Sequence, residues 1–208
     1  MFSLIKKSRK LGLDIDVQLQ LFDSQIVPIL LYGCAIWGYK NVEIIEKLHL
    51  QYCKILLNVK KCTPNVMVLG ELGRVNLEFN INCRMLGFWH RLCTGKNNKI
   101  SCIMYKLVYN LYINDMYKCD WLSKICRILN DCGMNEFWNW PELVQDTNYS
   151  NFKKLYKVKL LNMYKNNWLS SMQLSSKCSL YRNYKEELKL EKYLIVLPMQ
   201  LATALIIN

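Results

Sequence analysis

Apolar residues recur along this chain at intervals of three and four, the period of an α-helix lying against a core. Between Asn41 and Val59 the repeat is carried by Ile45, Leu48, Tyr52, Ile55, Leu56 and Val59, with Asn41 placed to cap the start. The same spacing predicts helices over Phe2–Leu11, from Asp16 toward Gly38, and over Leu77–Cys93, Ile100–Tyr112, Trp121–Cys132, Phe152–Met172 and Leu180–Tyr193. Pro28 predicts a kink in the second of these. Thr63-Pro64 opens a short helix, Gly70–Gly73 forms a turn, and Gly133 closes the helix before it. No run alternates with period two and no hairpin dipeptide separates such runs, so the expected fold is all-α.

Three polar stretches interrupt the pattern: Gly95–Lys99, Asp115–Asp120 and Pro141–Ser150. Taking the second as a junction predicts a multi-helix bundle over residues 1–112, followed by a second helical unit over 115–208 that carries a basic helix.

Composition narrows the picture. A chain of 208 residues with 52% hydrophobic content supports a buried core rather than a disordered state. The net charge of +12 is spread as +3 over residues 1–60, +4 over 61–120 and +5 over 121–208. A cationic surface of this kind suits a polyanion or an acidic membrane, and nucleic acid is the favoured partner. The ten cysteines come without an apolar leader, since Met1–Ile5 runs straight into Lys6-Lys7-Ser8-Arg9-Lys10. Free thiols in a nuclear or cytoplasmic protein are therefore expected. The apolar runs Ile26–Leu31 and Leu201–Ile207 fall short of the roughly 20 residues of a membrane span, so no membrane role is expected. His49 and His90 are the only histidines, and no Cys-x-x-Cys or His-x-x-x-His occurs. No metal, cofactor or small-molecule substrate is expected from that spacing or from the lack of a glycine-rich phosphate loop.

The candidate chemistry lies in residues 147–185, which hold eight Lys or Arg and no Asp or Glu. On a helical projection Phe152, Leu155, Tyr156, Leu160 and Met163 share one face. Lys154, Lys157 and Lys165 fall opposite, Lys153 lies on the flank, and Lys159 turns toward the apolar side. With Lys177, Arg182 and Lys185 just beyond, Lys153, Lys154, Lys157 and Lys165 make a phosphate track for the backbone of RNA or DNA. Trp37, Trp89, Trp121 and Trp168 are candidates to stack on bases. The apolar neighbours of Trp37 and Trp89 point instead to core packing. Tyr32-Gly33 reads as a close helix crossing, and Glu71 with Arg74 as a structural pair.

Several blocks in fixed order carry a resemblance. Val27-Pro28-Ile29-Leu30-Leu31-Tyr32-Gly33, Trp37-Gly38, Thr63-Pro64-Asn65, Gly70-Glu71-Leu72-Gly73-Arg74, Arg84-Met85, Trp89 and Leu129-Asn130-Asp131-Cys132-Gly133 are followed by the block Ser175–Pro198. Together they resemble the region downstream of the polymerase palm in non-LTR (LINE-type) retrotransposon reverse transcriptases, over nearly the whole chain. The resemblance implies a thumb-like first bundle, a fragment without palm or endonuclease, and contact with a template–primer duplex or element RNA. The chain has no Asp-Asp pair, so a non-enzymatic role is expected beside the missing palm domain of a parent enzyme. Two departures stand out. Ala35 occupies a position that is often acidic in the family, and no zinc knuckle follows the Leu-Pro block. Two alternatives remain: a helical protein-interaction or structural module, and an inactive relic of a mobile element.

Overall fold

The 3.6-residue period is realised almost throughout. The computed structural model describes residues 2–95 and 99–196, and among these the regular structure is helical, with one isolated antiparallel bridge between Leu72 and Leu190. The helices are α1 (Phe2–Lys10), α2 (Ile15–Leu21), α3 (Val27–Leu30), α4 (Cys34–Trp37), α5 (Val42–Leu56), α6 (Asn65–Glu71), α7 (Leu77–Thr94), α8 (Ile100–Ile113), α9 (Asp120–Asp131), α10 (Asn135–Asn139), α11 (Pro141–Asp146), α12 (Tyr149–Leu174) and α13 (Tyr193–Val196). No helix among the described residues is long and apolar enough to cross a membrane.

The chain divides into two compact units, and not at the expected junction. The first gathers the chain up to Tyr32, Glu43–Leu77 and the residues from Lys165 onward; the second is Gly33–Val42 with Glu78–Tyr164. Residues 115–119 therefore connect α8 and α9 within the second unit instead of separating domains. A linker was expected at Pro141–Ser150, but α11 begins there.

In the first unit the expected kink at Pro28 is spread over a π-helical turn, Phe22–Ile26, in which the Val27 N–H reaches back to the Phe22 carbonyl. Phe22 stacks on Tyr52 with ring centroids 4.1 Å apart, and the Tyr52 hydroxyl donates to the Gln18 carbonyl at 2.7 Å. Ile15, Leu19, Leu31, Leu56, Leu57, Val68 and Leu77 complete this core. Trp168 and Met172 of α12 bury against Cys178, with Val66 and Met67 of α6 packed beside them. The Trp168 Nε1–H donates to the Val66 carbonyl at 2.8 Å.

The second unit is built on aromatics. Trp89 on α7 is fully buried, donates to the Tyr105 hydroxyl at 2.9 Å and stacks on Trp138. Phe152 packs against Trp89, His90, Phe137 and Tyr156. A Cβ on Gly38 would meet Ile81 Cγ2 at 2.4 Å, so α4 lies against α7 through a residue with no side chain.

Leu180–Tyr193 is not the helix its composition suggested. Two short 3-10 turns, Ser176–Cys178 and Tyr181–Asn183, lead into an extended stretch that meets α6 through the Leu72–Leu190 bridge. Gly73 makes the approach feasible: its φ is +61°, and a Cβ there would stand 2.2 Å from the Leu190 nitrogen. Long-range pairing has overridden local helix propensity here.

Candidate nucleic-acid interface

The basic residues sort into two groups when each unit is taken by itself. In the second unit, α12 buries Phe152, Tyr156, Leu160 and Tyr164 and leaves Lys153, Lys154 and Lys157 exposed. Its neighbour is α7. A Cβ on Gly87 would meet the Tyr149 hydroxyl at 3.1 Å and the Tyr156 hydroxyl at 3.4 Å. Asn82 Nδ2 donates to the Tyr164 hydroxyl at 2.9 Å, and His90 stacks on Phe152 at 4.9 Å. Glycine at the contact lets the two helices approach closely.

Cations line this seam from both helices. Burial pushes the Cys83 thiol up to about 12 while Lys157 and Lys153 pull against it, which puts both ammonium groups within electrostatic reach of that residue of α7. Burial likewise raises the Tyr156 phenol, with Arg91 opposing, so Arg91 stands near the same seam. The Lys153 Nζ lies 5.9 Å from the Tyr149 ring centroid and the Arg91 guanidinium 5.7 Å from that of Phe88. Arg91, Lys153, Lys154 and Lys157 have no carboxylate partner among the described residues. Lys159 is set apart as its place on the projection implied, donating to the Gly133 carbonyl at 2.6 Å.

Arg91 was not among the residues singled out from the sequence, yet a signal for it existed. Residues 79–114 also lack Asp and Glu while holding Arg84, Arg91, Lys96, Lys99 and Lys106. Two acid-free stretches far apart in sequence thus meet along one seam.

In the first unit the predicted residues do other work. Lys165 is exposed, close enough to help hold the Glu187 carboxyl below its ordinary range, after the larger effect of Lys189. Arg182 donates through Nη1 to the Gln173 carbonyl at 3.1 Å and through Nε to the Ser179 carbonyl at 3.3 Å, so it caps the end of α12. Lys185 leaves the track: it is 4% exposed and donates to the Lys189 carbonyl at 2.9 Å and to Glu191 Oε1. Lys177 is exposed at the edge of a cleft of about 610 Å³ lined by Leu57, Met67, Glu71, Tyr181, Lys185 and Tyr193 among others. Its less exposed polar groups, Glu71, Tyr181, Lys185, Glu191 and Tyr193, are held by one another or by backbone carbonyls. Tyr193 donates its hydroxyl to Glu71, and burial together with that carboxylate raises the phenols of both Tyr193 and Tyr181, keeping them protonated donors. With Lys185 held on Glu191, the cleft is a clasp that fastens the extended segment to α6.

The pair expected between Glu71 and Arg74 does not form. Arg74 makes a forked ion pair with Asp23, at 3.0 and 2.5 Å, and donates from Nε to His49 Nε2 at 3.0 Å. The His49 Nδ1 contacts Glu46 Oε1 at 2.9 Å, and the other Glu46 oxygen accepts from the Leu77 N–H at 2.8 Å. The Arg74 Nε–H needs the lone pair of His49 Nε2, which places the ring proton on Nδ1 beside Glu46. Burial disfavours a second proton, but Cys53 and Glu46 outweigh it and pull the imidazole up to about 9, so protonation of the ring competes with the Arg74 bond. Neither histidine sits in a metal site: among the described residues no group of three or more His, Cys, Asp or Glu could hold a metal ion.

The remaining sequence candidates separate by burial. Trp89 is core, as its setting implied, and so is Trp168. Trp37 is half-buried, and Trp121 is half-buried with its indole N–H on the Ala35 carbonyl at 2.8 Å. Tyr32 is exposed. Gly33 is not a helix crossing: a Cβ there would meet only Trp37, at 3.6 Å, and what it supplies is a φ of +66° at the start of α4. The exposed tryptophan is Trp140, which the sequence reading passed over.

Comparison of the chain with protein-family models, with curated proteins and with solved structures finds no match.

Proposed function

We propose that this chain is a non-catalytic, nucleic-acid-binding segment of a LINE-type reverse transcriptase, one that grips a template–primer duplex or element RNA by its phosphate backbone. The observation that supports binding is the α7–α12 seam. There Arg91, Lys153 and Lys157 stand exposed, with Lys154 exposed on the far side of α12; none of the four has a carboxylate partner among the described residues, and the Tyr149 hydroxyl adds a neutral donor. A solvated helix face ordinarily mixes signs, whereas a one-signed face gains free energy by releasing counterions from a polyanion. The family reading rests on the ordered sequence blocks from Val27 to Pro198. The lack of an Asp-Asp pair argues against two-metal polymerase chemistry in this chain.

Binding to a generic RNA and a generic duplex, measured by anisotropy across a salt series, tests the proposal. Affinity should fall steeply as salt rises. Replacing Lys153, Lys154 and Lys157 by Gln should flatten the log–log slope by about three units, equally for unrelated sequences. Unchanged affinity and slope would overturn the proposal and leave a helical protein-interaction module as the better reading. Primer extension should be absent; template-dependent extension by the purified chain would overturn the non-catalytic part.

A further inference from the structure

Helix α8 wears its residues inside out. Inward it turns Cys102, buried, and the half-buried Tyr105, Tyr109 and Tyr112. The Tyr105 hydroxyl accepts from Trp89, that of Tyr109 donates to the Trp138 carbonyl at 3.3 Å, and that of Tyr112 lies 3.2 Å from Ser123 Oγ. Outward it turns aliphatics. Ile100 is 79% exposed, Ile103 46%, Met104 53% and Leu107 53%. Their spacing of i, i+3, i+4 and i+7 draws one stripe, which Leu111 extends. That is the pattern of a helix facing a core, here presented to water. The four side chains leave roughly 400 Å² of apolar surface exposed along the stripe, within the size range of the largest patches on monomers, which are often functional.

The charges at the two ends of α8 indicate what covers it. Lys99 precedes the first turn and Asp115 follows the last, both exposed, and neither side chain has a partner among the described residues. We propose that the occupant is the α8 of a second copy of this chain, packed antiparallel about a two-fold axis through Leu107. In that register the sequence numbers of facing residues sum to 214. Ile103 faces the partner's Leu111, and Lys99 faces the partner's Asp115. An isologous contact of this kind closes on itself as a dimer. Each helix N-terminus then lies beside its partner's C-terminus, where the helix dipoles and the end charges agree in sign. The contact uses only the second unit and does not depend on the nucleic-acid reading. The two also respond oppositely to salt. Phosphate binding weakens as salt rises, while association of two +12 chains through an apolar face strengthens as their repulsion is screened.

Sedimentation equilibrium of the 208-residue chain tests this. The mass should climb from 24.7 kDa toward twice that value over a concentration range centred on the order of 10 µM. Leu107→Glu, at an exposed position on the axis, should hold the chain monomeric with its helical circular dichroism unchanged. Lys99→Glu should weaken association by about tenfold, and adding Asp115→Arg, which restores the pairing with the signs exchanged, should recover it. A chain that stays at 24.7 kDa up to about twenty times that concentration overturns the proposal, and so does a dimer indifferent to Leu107→Glu. A charge exchange that fails to restore association overturns the antiparallel register.

Discussion

The two units use charge in different ways. In the first unit charges are folded inward and joined into chains: Asp23 to Arg74 to His49 to Glu46 to the Leu77 backbone, and separately Lys189 to Lys185 to Glu191. The second unit draws most of its cohesion from stacked and edge-on rings around Trp89, Trp138 and Phe152, holds one part-buried pair, Lys124 with Glu78 at 2.7 Å, and leaves Arg91, Lys153, Lys154 and Lys157 at the surface with no carboxylate partner among the described residues. Formal charge does not distinguish a scaffold cation from a binding cation; desolvation and the presence of an acid do. A lysine such as Lys185 that has given up its water to a carboxylate is already committed, whereas Lys157 retains all three donors for a ligand.

The largest effect expected is in the aromatic core. Trp89→Ala should destabilise the second unit by about 3–5 kcal/mol in denaturant unfolding, because it removes a fully buried ring and one of the two bonds at the Tyr105 hydroxyl, leaving only that with Cys93. A cost below about 1 kcal/mol would mean that this unit is not held by its rings. Next comes Arg74→Ala in the first unit, expected to cost about 3 kcal/mol: Asp23 regains water at its half-exposed side, but His49 stays buried with an unmet acceptor. A solvent-exposed pair gives the opposite extreme: in the second unit Lys40→Ala breaks a contact with Asp120 at 3.7 Å and should cost less than about 0.5 kcal/mol. Equal costs would erase the contrast between desolvated and exposed cations.

Trp37→Ala sharpens the picture at an intermediate level. Its half-buried ring should cost about 1–2 kcal/mol, less than a core tryptophan. The smallest effect concerns pH. Burial lowers the pKa of His90, whose Nε2–H donates to the Thr147 carbonyl at 3.1 Å while Nδ1 is buried without a partner. The unfolded chain then binds a proton more readily than the folded one, so stability should decline as pH drops below about 6.5. His90→Gln should remove that decline; a decline that survives it would assign the effect to other groups.

Most helices were legible because their apolar period is local. α5, α7, α8 and α9 begin and end within a few residues of where Asn41–Val59, Leu77–Cys93, Ile100–Tyr112 and Trp121–Cys132 placed them. α12 was legible as a helix but not as a face. Its buried residues follow a stride of four: Phe152, Tyr156, Leu160, Tyr164, Trp168 and Met172. Each step advances about 40° around the axis, so a fixed projection counted Leu155 as core when it is exposed. The extended segment around Leu190 was not legible at all, since its partners on α6 are more than a hundred positions away in sequence. Nor were the unit boundaries, because the chain changes unit more than once. Of the candidate site, the exposure of Lys153, Lys154, Lys157 and Lys165 followed from periodicity. The burial of Lys185 did not, because it depends on Glu191 and on a fold that local spacing does not encode.

The π-helical turn at Phe22–Ile26 has a consequence for the length of the chain. Counting 100° per residue from Ile15, an unbroken α-helix would carry Val27 and Leu31 to about 120° and 160°, away from the side of Ile15, Leu19 and Phe22. The one surplus residue held in the wide turn brings them back to about 20° and 60°, where both are buried. The turn is in effect an absorbed insertion. Its removal leaves the core phase untouched, and what it shelters is Pro28, which has no N–H to give to a regular helix. A chain shortened by one residue between Asp23 and Gln25, with Pro28→Ala, should fold to the same core through a single straight helix.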